Sequence, residues 1–134
     1  NVYQGYRHLL LNNQKLDIKA DHPKNIKFNI SFRPIEIIIV LDNLLNNALK
    51  AKAKNVWVSW KQVNNSEIEL HIVDDGIGIP TKNIEKVFEP RYTTTNGSGL
   101  GLYHTKEVIE KMNGTIHINN QLKQGVEFII RFKK

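Results

Sequence analysis

Apolar and polar residues alternate from Lys24 to Phe32, with Ile26, Phe28, Ile30 and Phe32 on one side and Lys27, Asn29 and Ser31 on the other. A period of two predicts a strand with one buried face. Arg33-Pro34 closes it, and proline suits the first turn of a helix. From Ile35 to Ala51 the pattern turns helical, apolar nearly all round apart from one polar stripe. Two further strands follow. Lys54 to Lys61 sets Val56, Val58 and Trp60 on one face, and Ser66 to Val73 alternates Ile68, Leu70 and Ile72 with Glu67, Glu69 and His71. Asp74 to Pro80 is rich in turn-forming residues, and Thr81 is placed to cap a short helix running to Val87. Phe88 to Gly99 has no period and reads as a loop. Leu100 to Met112 reads as a helix ended by Asn113-Gly114. Thr115 to Asn119 and Val126 to Phe132 form a last strand pair around a turn containing Gly125. At the other end, Asn1 to Gln14 reads as a helix carrying Leu9, Leu10 and Leu11. Strands in consecutive runs between helices favour an α+β two-layer sandwich over a doubly wound parallel sheet. The expected division is a lead-in over residues 1–20, the tail of an upstream helical element, and one domain over residues 21–134.

Composition narrows this picture. The chain has 134 residues, enough for one domain with its own core at 40% hydrophobic content. No apolar run reaches the roughly 18 residues of a membrane helix. No signal-peptide pattern follows Asn1, and the simplest reading is a piece of a longer protein. With no cysteine, disulfides and thiolate metal sites are excluded. The net charge of +6 admits nucleic acid, membrane, phosphorylated ligands or acidic partners. The basic residues, however, are spread from Arg7 to Lys134. Their tightest cluster, Lys50, Lys52 and Lys54, is interleaved with alanine and asparagine rather than aromatics. A solvated surface explains this better than a nucleic-acid face, and no nucleic-acid partner is expected.

Candidate chemistry lies in three places. On the first long helix, Glu36, Asn43, Asn47 and Lys50 fall within a sector about 60° wide, flanked by Asp42 and Asn46. Asparagine is a poor helix former, so several on one face call for a reason. An amide oxygen suits a hard cation such as Mg²⁺, and a lysine one turn on suits phosphate; a solvated polar face is the alternative. The second place is Val73-Asp74-Asp75-Gly76-Ile77-Gly78-Ile79-Pro80, where a strand ends in an aspartate. Its carboxylate could accept from an amino group such as adenine's, while glycines allow close backbone approach; a hairpin with a capping aspartate is the alternative. The third is Gly97-Ser98-Gly99-Leu100-Gly101-Leu102, leading into a helix. Exposed N–H groups there would suit phosphate. It is not a Walker motif, since no G-K-[ST] is present, and its place in the chain does not suit a dinucleotide fold.

Taken together, these segments resemble the GHKL superfamily of ATP-binding domains: gyrase, heat-shock chaperones, mismatch-repair ATPases and histidine kinases. Leu41 to Lys50 resembles the N box and Asp74 to Gly78 the D-x-G-x-G box. Val87-Phe88-Glu89-Pro90-Arg91-Tyr92-Thr93-Thr94 resembles the F box, and Gly97 to Leu102 the second glycine box. The resemblance implies a Bergerat-type ATP-binding fold, a mixed sheet covered by helices on one face, with ATP and Mg²⁺ bound between helices and under a lid, Phe88 to Gly99. It implies that Asn47 holds Mg²⁺, Lys50 approaches a phosphate and Asp74 reads the adenine amino group. Gly76, Gly78 and Ile79 would lie along the base. Gly97, Ser98, Gly99, Leu100, Gly101 and Leu102 would surround the phosphates, and Arg91, a departure from the family pattern, could bring a cation towards the γ-phosphate or merely be exposed.

Asn43 selects the branch. One turn before Asn47, hydrolysing members of the superfamily resemble one another in carrying a glutamate general base. Asparagine has no usable basicity at neutral pH, so the chain is most similar to the catalytic domain of a bacterial two-component sensor histidine kinase, with Asn43, Asn47 and Lys50 as catalytic candidates. Some positions depart from that pattern: Ala51 stands where an aromatic is frequent, Arg91 where phenylalanine is common, Thr95 where lysine is frequent, and Val126 where a threonine is usual. The resemblance also implies partners: a histidine-bearing dimerisation domain of the same full-length protein, a response regulator receiver domain, and a cytoplasmic, homodimeric setting that leaves membrane attachment open. None of the five histidines is followed by an acidic residue as an acceptor histidine would be. The acceptor is therefore expected elsewhere. A GHKL-type ATPase clamp and a non-catalytic nucleotide-binding module are the competing readings.

Overall fold

The computed structural model describes residues 16–21, 34–90, 101–119, 121 and 124–133. In chain order these form β1 (Asp17–Asp21), α1 (Pro34–Lys50), β2 (Asn55–Gln62), β3 (Glu67–Asp74), a 3-10 turn (Thr81–Asn83), α2 (Gly101–Lys111), β4 (Gly114–Asn119) and β5 (Val126–Lys133). The strand expected at 24–32 and the helix expected at 1–14 lie outside the described residues.

The five strands make one mixed sheet in the order β1-β2-β3-β5-β4. β1 runs parallel to β2, and α1 makes the crossover that a parallel pair requires. The remaining pairs are antiparallel. Alternation decides which face is covered. Val56 and Val58 of β2, Ile68, Leu70 and Ile72 of β3, Ile116 of β4, and Val126, Phe128, Ile130 and Phe132 of β5 are all buried on the inner face. Onto this face α1 lays Val40, Leu41, Leu44, Leu45 and Ala48, and α2 lays Val108 and Ile109. The α1 residues recur at the spacing of one helical stripe. Trp60 packs its ring 6.4 Å from that of Phe132, closing the core between β2 and β5. Burying each large side chain contributes about 1.5–3 kcal/mol. The result is the expected α+β two-layer sandwich with both helices on one side.

Two local readings change. β1 was not foreseen, because Leu16 and Ile18 are buried while the intervening Asp17 and Lys19 are exposed, a stretch too short to show a period. The short helix expected from Thr81 to Val87 is instead a 3-10 turn preceded by Pro80. Its bonds run Asn83 N to Pro80 O and Ile84 N to Thr81 O, each one residue tighter than α-helical, while after it the Lys86 N–H bonds to Asn83 O and the Val87 N–H reaches back four residues to the same oxygen. Proline at both Pro80 and Pro90 leaves little length for a regular helix to nucleate.

Candidate nucleotide-binding site

Asp74 is the last residue of a central strand, paired with Val56 of β2 on one side and Val126 of β5 on the other. Its side chain points to the inner face, under the helices, and the residue is 4% exposed. Burial pushes its carboxyl pKa up, and the nearby Asp75 charge adds to this. Hydrogen bonds from the Gly76 and Val126 N–H groups pull the other way without cancelling the shift. The Gly76 N–H lies 2.9 Å from Oδ1. A carboxylate held by two backbone donors at the edge of a core is fixed in direction and retains acceptor capacity for a ligand.

The turn after Asp74 is pressed from two sides. A Cβ on Gly76 would lie 2.7 Å from both the Cβ and the carbonyl oxygen of Ala51, so only glycine fits. On the other flank, Gly125 has φ +87, and a Cβ there would sit 1.8 Å from the Asp74 carbonyl oxygen. Gly78, at φ +79, faces the Gly125 carbonyl. The Ile77 N–H donates to the Ala51 carbonyl at 2.9 Å, joining this turn to the end of α1. Ile79 is half-buried against the core, while Ile77 is exposed.

That junction brings the helix stripe beside the turn. Asn43 and Asn47 are half-buried, and the side-chain amide nitrogens of both are enclosed without a hydrogen-bond partner among the described residues. Buried amide donors left unsatisfied cost on the order of 1–3 kcal/mol each, so such a pair one helical turn apart points to a polar ligand. Lys50, one turn beyond Asn47, is exposed at the same helix end. Asp42 and Asn46 are exposed and complete the polar stripe. α1 and α2 pack against each other. At the start of α2, a Cβ on Gly101 would meet nothing within 4 Å, so its backbone faces open space. Leu102, next to it, packs against the core. Arg91, Gly97, Ser98, Gly99 and Leu100 lie outside the described residues, as does most of the expected lid.

The contacts of Ala51 with Gly76 and Ile77 thus join the end of α1, one turn beyond Asn47, to the turn that carries Gly76, Gly78 and Ile79 after Asp74; Asn43 lies a further turn back along the helix, and Lys50 is exposed at its end. Sequence reasoning missed the anchors of that joint: Asp75, Asn55, Gln124 and the Val126 N–H. The doubled aspartate and the lone Gly125 opposite it were the available signals. Among the described residues no cluster of histidine, aspartate and glutamate could hold a metal by itself. The two unsatisfied groups are N–H donors and fit acceptor oxygens such as those of a phosphate, while a Mg²⁺ arriving with a nucleotide would be met by the amide oxygens of the same side chains.

A mixed sheet covered on one side, a buried strand-end aspartate, a glycine turn and a helix with paired asparagines define a nucleotide-binding sandwich of the ATPase type. Residues 33–134 match the family described as histidine kinase-, DNA gyrase B- and HSP90-like ATPase, and the chain belongs to that family. It is similar to the sensor histidine kinase YvrG of Bacillus subtilis (strain 168), with 38% identity over 103 residues, 71% of this chain and 18% of YvrG. The mycobacterial sensor histidine kinase MprB superposes with a TM-score of 0.81 at 23% identity, over 98% of this chain and 91% of that chain. ShkA, solved at full length with AMPPNP, superposes with a TM-score of 0.80 at 21% identity, over 98% of this chain and 29% of that chain. At these identities the likeness to the two solved structures is one of fold. The chain spans 18–29% of the length of the first curated relatives it matches.

Proposed function

We propose that this domain binds Mg·ATP and serves as the catalytic domain of a two-component sensor histidine kinase. The γ-phosphate would pass to a histidine on a dimerisation domain outside this chain, and from there to a response regulator. The observation that carries this reading is the pair of buried, unsatisfied amides at Asn43 and Asn47. One helical turn from each other, they offer ligand contacts where a hydrolysing enzyme of this fold would need a carboxylate base. The family match, the kinship with sensor kinases and the AMPPNP held by ShkA support the same reading.

In this scheme Asp74 accepts from the adenine amino group, and Gly76, Gly78 and Ile79 lie along the base. The amide oxygen of Asn47 would hold Mg²⁺, whose charge would offset that of the phosphates. Asn43 contacts the ligand without acting as a base, and Lys50 approaches a phosphate. Arg91 and the Gly97–Leu102 segment complete the phosphate end. Transfer forms a bond from imidazole nitrogen to the γ-phosphorus and breaks the bond to the β-phosphate bridging oxygen. ADP leaves, and the imidazole proton is lost on the acceptor side. The domain contributes position and charge, not a covalent group. His71 is tied between two carboxylates on the far face of the sheet, which supports placing the acceptor in another domain. No helix among the described residues is long and apolar enough to cross a membrane.

The test measures single-turnover phosphate release and acceptor labelling side by side for wild type, Asn43→Glu and Asn47→Asp. Wild type is expected to release phosphate slowly and to give acid-labile, alkali-stable labelling of a supplied acceptor domain. Asn47→Asp should impair transfer more than nucleotide binding, since metal placement matters most as charge moves. Brisk hydrolysis with no labelled acceptor would favour the ATPase reading. Unimpaired transfer in Asn47→Asp would remove the metal from that residue.

A further inference from the structure

The way β3 ends is unusual, and it depends on Asp75. In an antiparallel ladder, a hydrogen-bonded residue pair exchanges two bonds, each N–H donating to the opposite carbonyl. Beyond the Val56–Asp74 pair, Asn55 and Asp75 are placed to make such an exchange. Only half of it is made by the backbone: the Asp75 N–H donates to the Asn55 carbonyl at 3.3 Å. The return bond goes elsewhere. The Asn55 N–H donates to the Asp75 side chain, Oδ1, at 3.0 Å. The same oxygen accepts from the Lys54 N–H at 2.9 Å, and Oδ2 accepts from the Asn55 side-chain amide at 3.0 Å. The Asp75 carbonyl, released from the ladder, accepts instead from Gln124 Nε2 at 2.9 Å.

The carboxylate therefore stands in for the chain's own carbonyl. This lets the backbone leave the sheet immediately after Asp74 while β2 keeps its donors satisfied. The departing chain carries Gly76 against Ala51 and leaves the Asp74 carboxylate buried at the end of β3. The hydrogen bonds from Asn55 and Lys54 hold the Asp75 carboxyl below its ordinary pKa, against the opposing pull of burial. We propose that Asp75 is a positioning residue for base recognition: its side chain replaces a ladder carbonyl, ends β3 at Asp74 and so aims the Asp74 carboxylate at the nucleotide base. Asp75 itself faces β2, where its two oxygens accept from Lys54 and Asn55. This role rests on the reading of Asp74 as the base acceptor.

The two can be tested apart by comparing ADP with IDP. Inosine carries a carbonyl where adenine carries the amino group, so it offers Asp74 no donor while the phosphates are identical. Wild-type protein should prefer ADP by about tenfold or more, the worth of a hydrogen bond to a charged group. In Asp75→Ala the Asn55 N–H regains the main-chain carbonyl as its partner, β3 lengthens, and the turn moves. The ADP-to-IDP ratio should then fall to within about threefold of unity, with IDP affinity nearly unchanged. Asp75→Asn keeps an oxygen acceptor on Oδ1 and should restore most of the ratio. Asn55→Ala, which removes only the Oδ2 contact, should give a smaller loss, and it serves if the alanine variant at Asp75 does not fold. A general loss of stability would weaken both nucleotides alike and leave the ratio intact. Wild-type protein that fails to distinguish ADP from IDP would overturn the assignment of Asp74, and this role with it. A wild-type preference that survives in both Asp75→Ala and Asn55→Ala would overturn the role of Asp75 alone.

Discussion

The two faces of the sheet treat buried polar groups in opposite ways. On the outer face Glu69 is 8% exposed, and both of its oxygens are engaged. Oε1 lies 3.0 Å from His71 Nε2, and Oε2 accepts from Arg131 Nε at 3.0 Å and from Arg131 Nη2. His71 Nδ1 lies 2.9 Å from Glu127, whose other oxygen accepts from Asn119 at 3.1 Å. Five strand positions on β3, β4 and β5 are thereby linked side to side. On the inner face, beside α1, the amide nitrogens of Asn43 and Asn47 have no partner among the described residues, and Asp74 holds a carboxyl whose pKa burial raises. A satisfied network holds a structure together. Polar groups left in want of partners mark where something else must bind. The same chemical types, carboxylates and amides, thus serve structure on one side and, in the proposed function, a site on the other.

Asp74→Asn should separate the two faces most widely. Loss of a charge-assisted hydrogen bond to adenine should weaken ADP by roughly 1.5–3 kcal/mol, measurable by titration calorimetry. Stability should move the other way. Because the folded pKa of Asp74 lies above its unfolded value, folding carries a penalty that is absent below the unfolded value and complete above the folded one. Stability from this group therefore falls as pH rises through that interval. Asparagine lacks the penalty, so the variant should unfold at a higher temperature than wild type at neutral pH, and the difference should close in acid. Equal ADP affinities in two folded proteins would remove Asp74 from the site.

Glu69→Gln addresses the other face. Burial alone would raise the Glu69 pKa, but the hydrogen bonds and attraction of Arg131 and His71 outweigh it and bring it below the ordinary value. Its contribution is present above the unfolded pKa and is lost as pH falls through the folded one. Arg131 is 42% exposed, which screens the pair, so a loss of about 1–2 kcal/mol is expected at neutral pH. Urea titration should show it, shrinking in acid, with ADP affinity unchanged. Weaker ADP binding without a stability change would mean that the network serves the site after all.

Much of this was legible in the sequence, for reasons that differ by residue. The inner faces of β2, β3 and β5 were clear because each alternates over several residues, as in Ile68, Leu70 and Ile72. The stripe bearing Asn43 and Asn47 was clear because the rest of α1 is so apolar. β1 was missed because its pairing with β2 is long-range and its five residues carry three charges. The outer-face network was read only as a polar face, since Glu69 and Arg131 meet across strands distant in sequence. Asp75 was hidden for the same reason: its partners Lys54 and Asn55 lie in another strand, and side-chain replacement of a carbonyl leaves no periodic trace.

The smallest effect tests whether the site-bearing side of the molecule also stores backbone strain. Both helices end on a non-glycine residue in the left-handed region, Lys52 with φ 61 after α1 and Asn113 with φ 59 after α2. At the first, the Ala53 N–H bonds back to the Ala48 carbonyl at 2.9 Å and the Lys52 N–H to Leu49 at 3.0 Å, a Schellman arrangement. That turn leaves the Ala51 carbonyl free to accept from Ile77, so the strained residue is part of the joint between α1 and the glycine turn. Lysine gains nothing in the left-handed conformation, whereas asparagine tolerates it. Glycine removes the clash at both positions but has more unfolded-state freedom to lose. For Lys52→Gly the balance should be a gain of about 0.5–1 kcal/mol, and the lost helix-end charge is offset by relief from Lys50 and Lys54. For Asn113→Gly the change should be a few tenths of a kcal/mol at most. Urea midpoints with unchanged m-values would read both. ADP affinity should hold in Lys52→Gly, because glycine adopts the same turn and keeps the Ala51 carbonyl in place. A larger gain at Asn113 than at Lys52 would show that the strain is a property of helix ends in general and has no connection with the site.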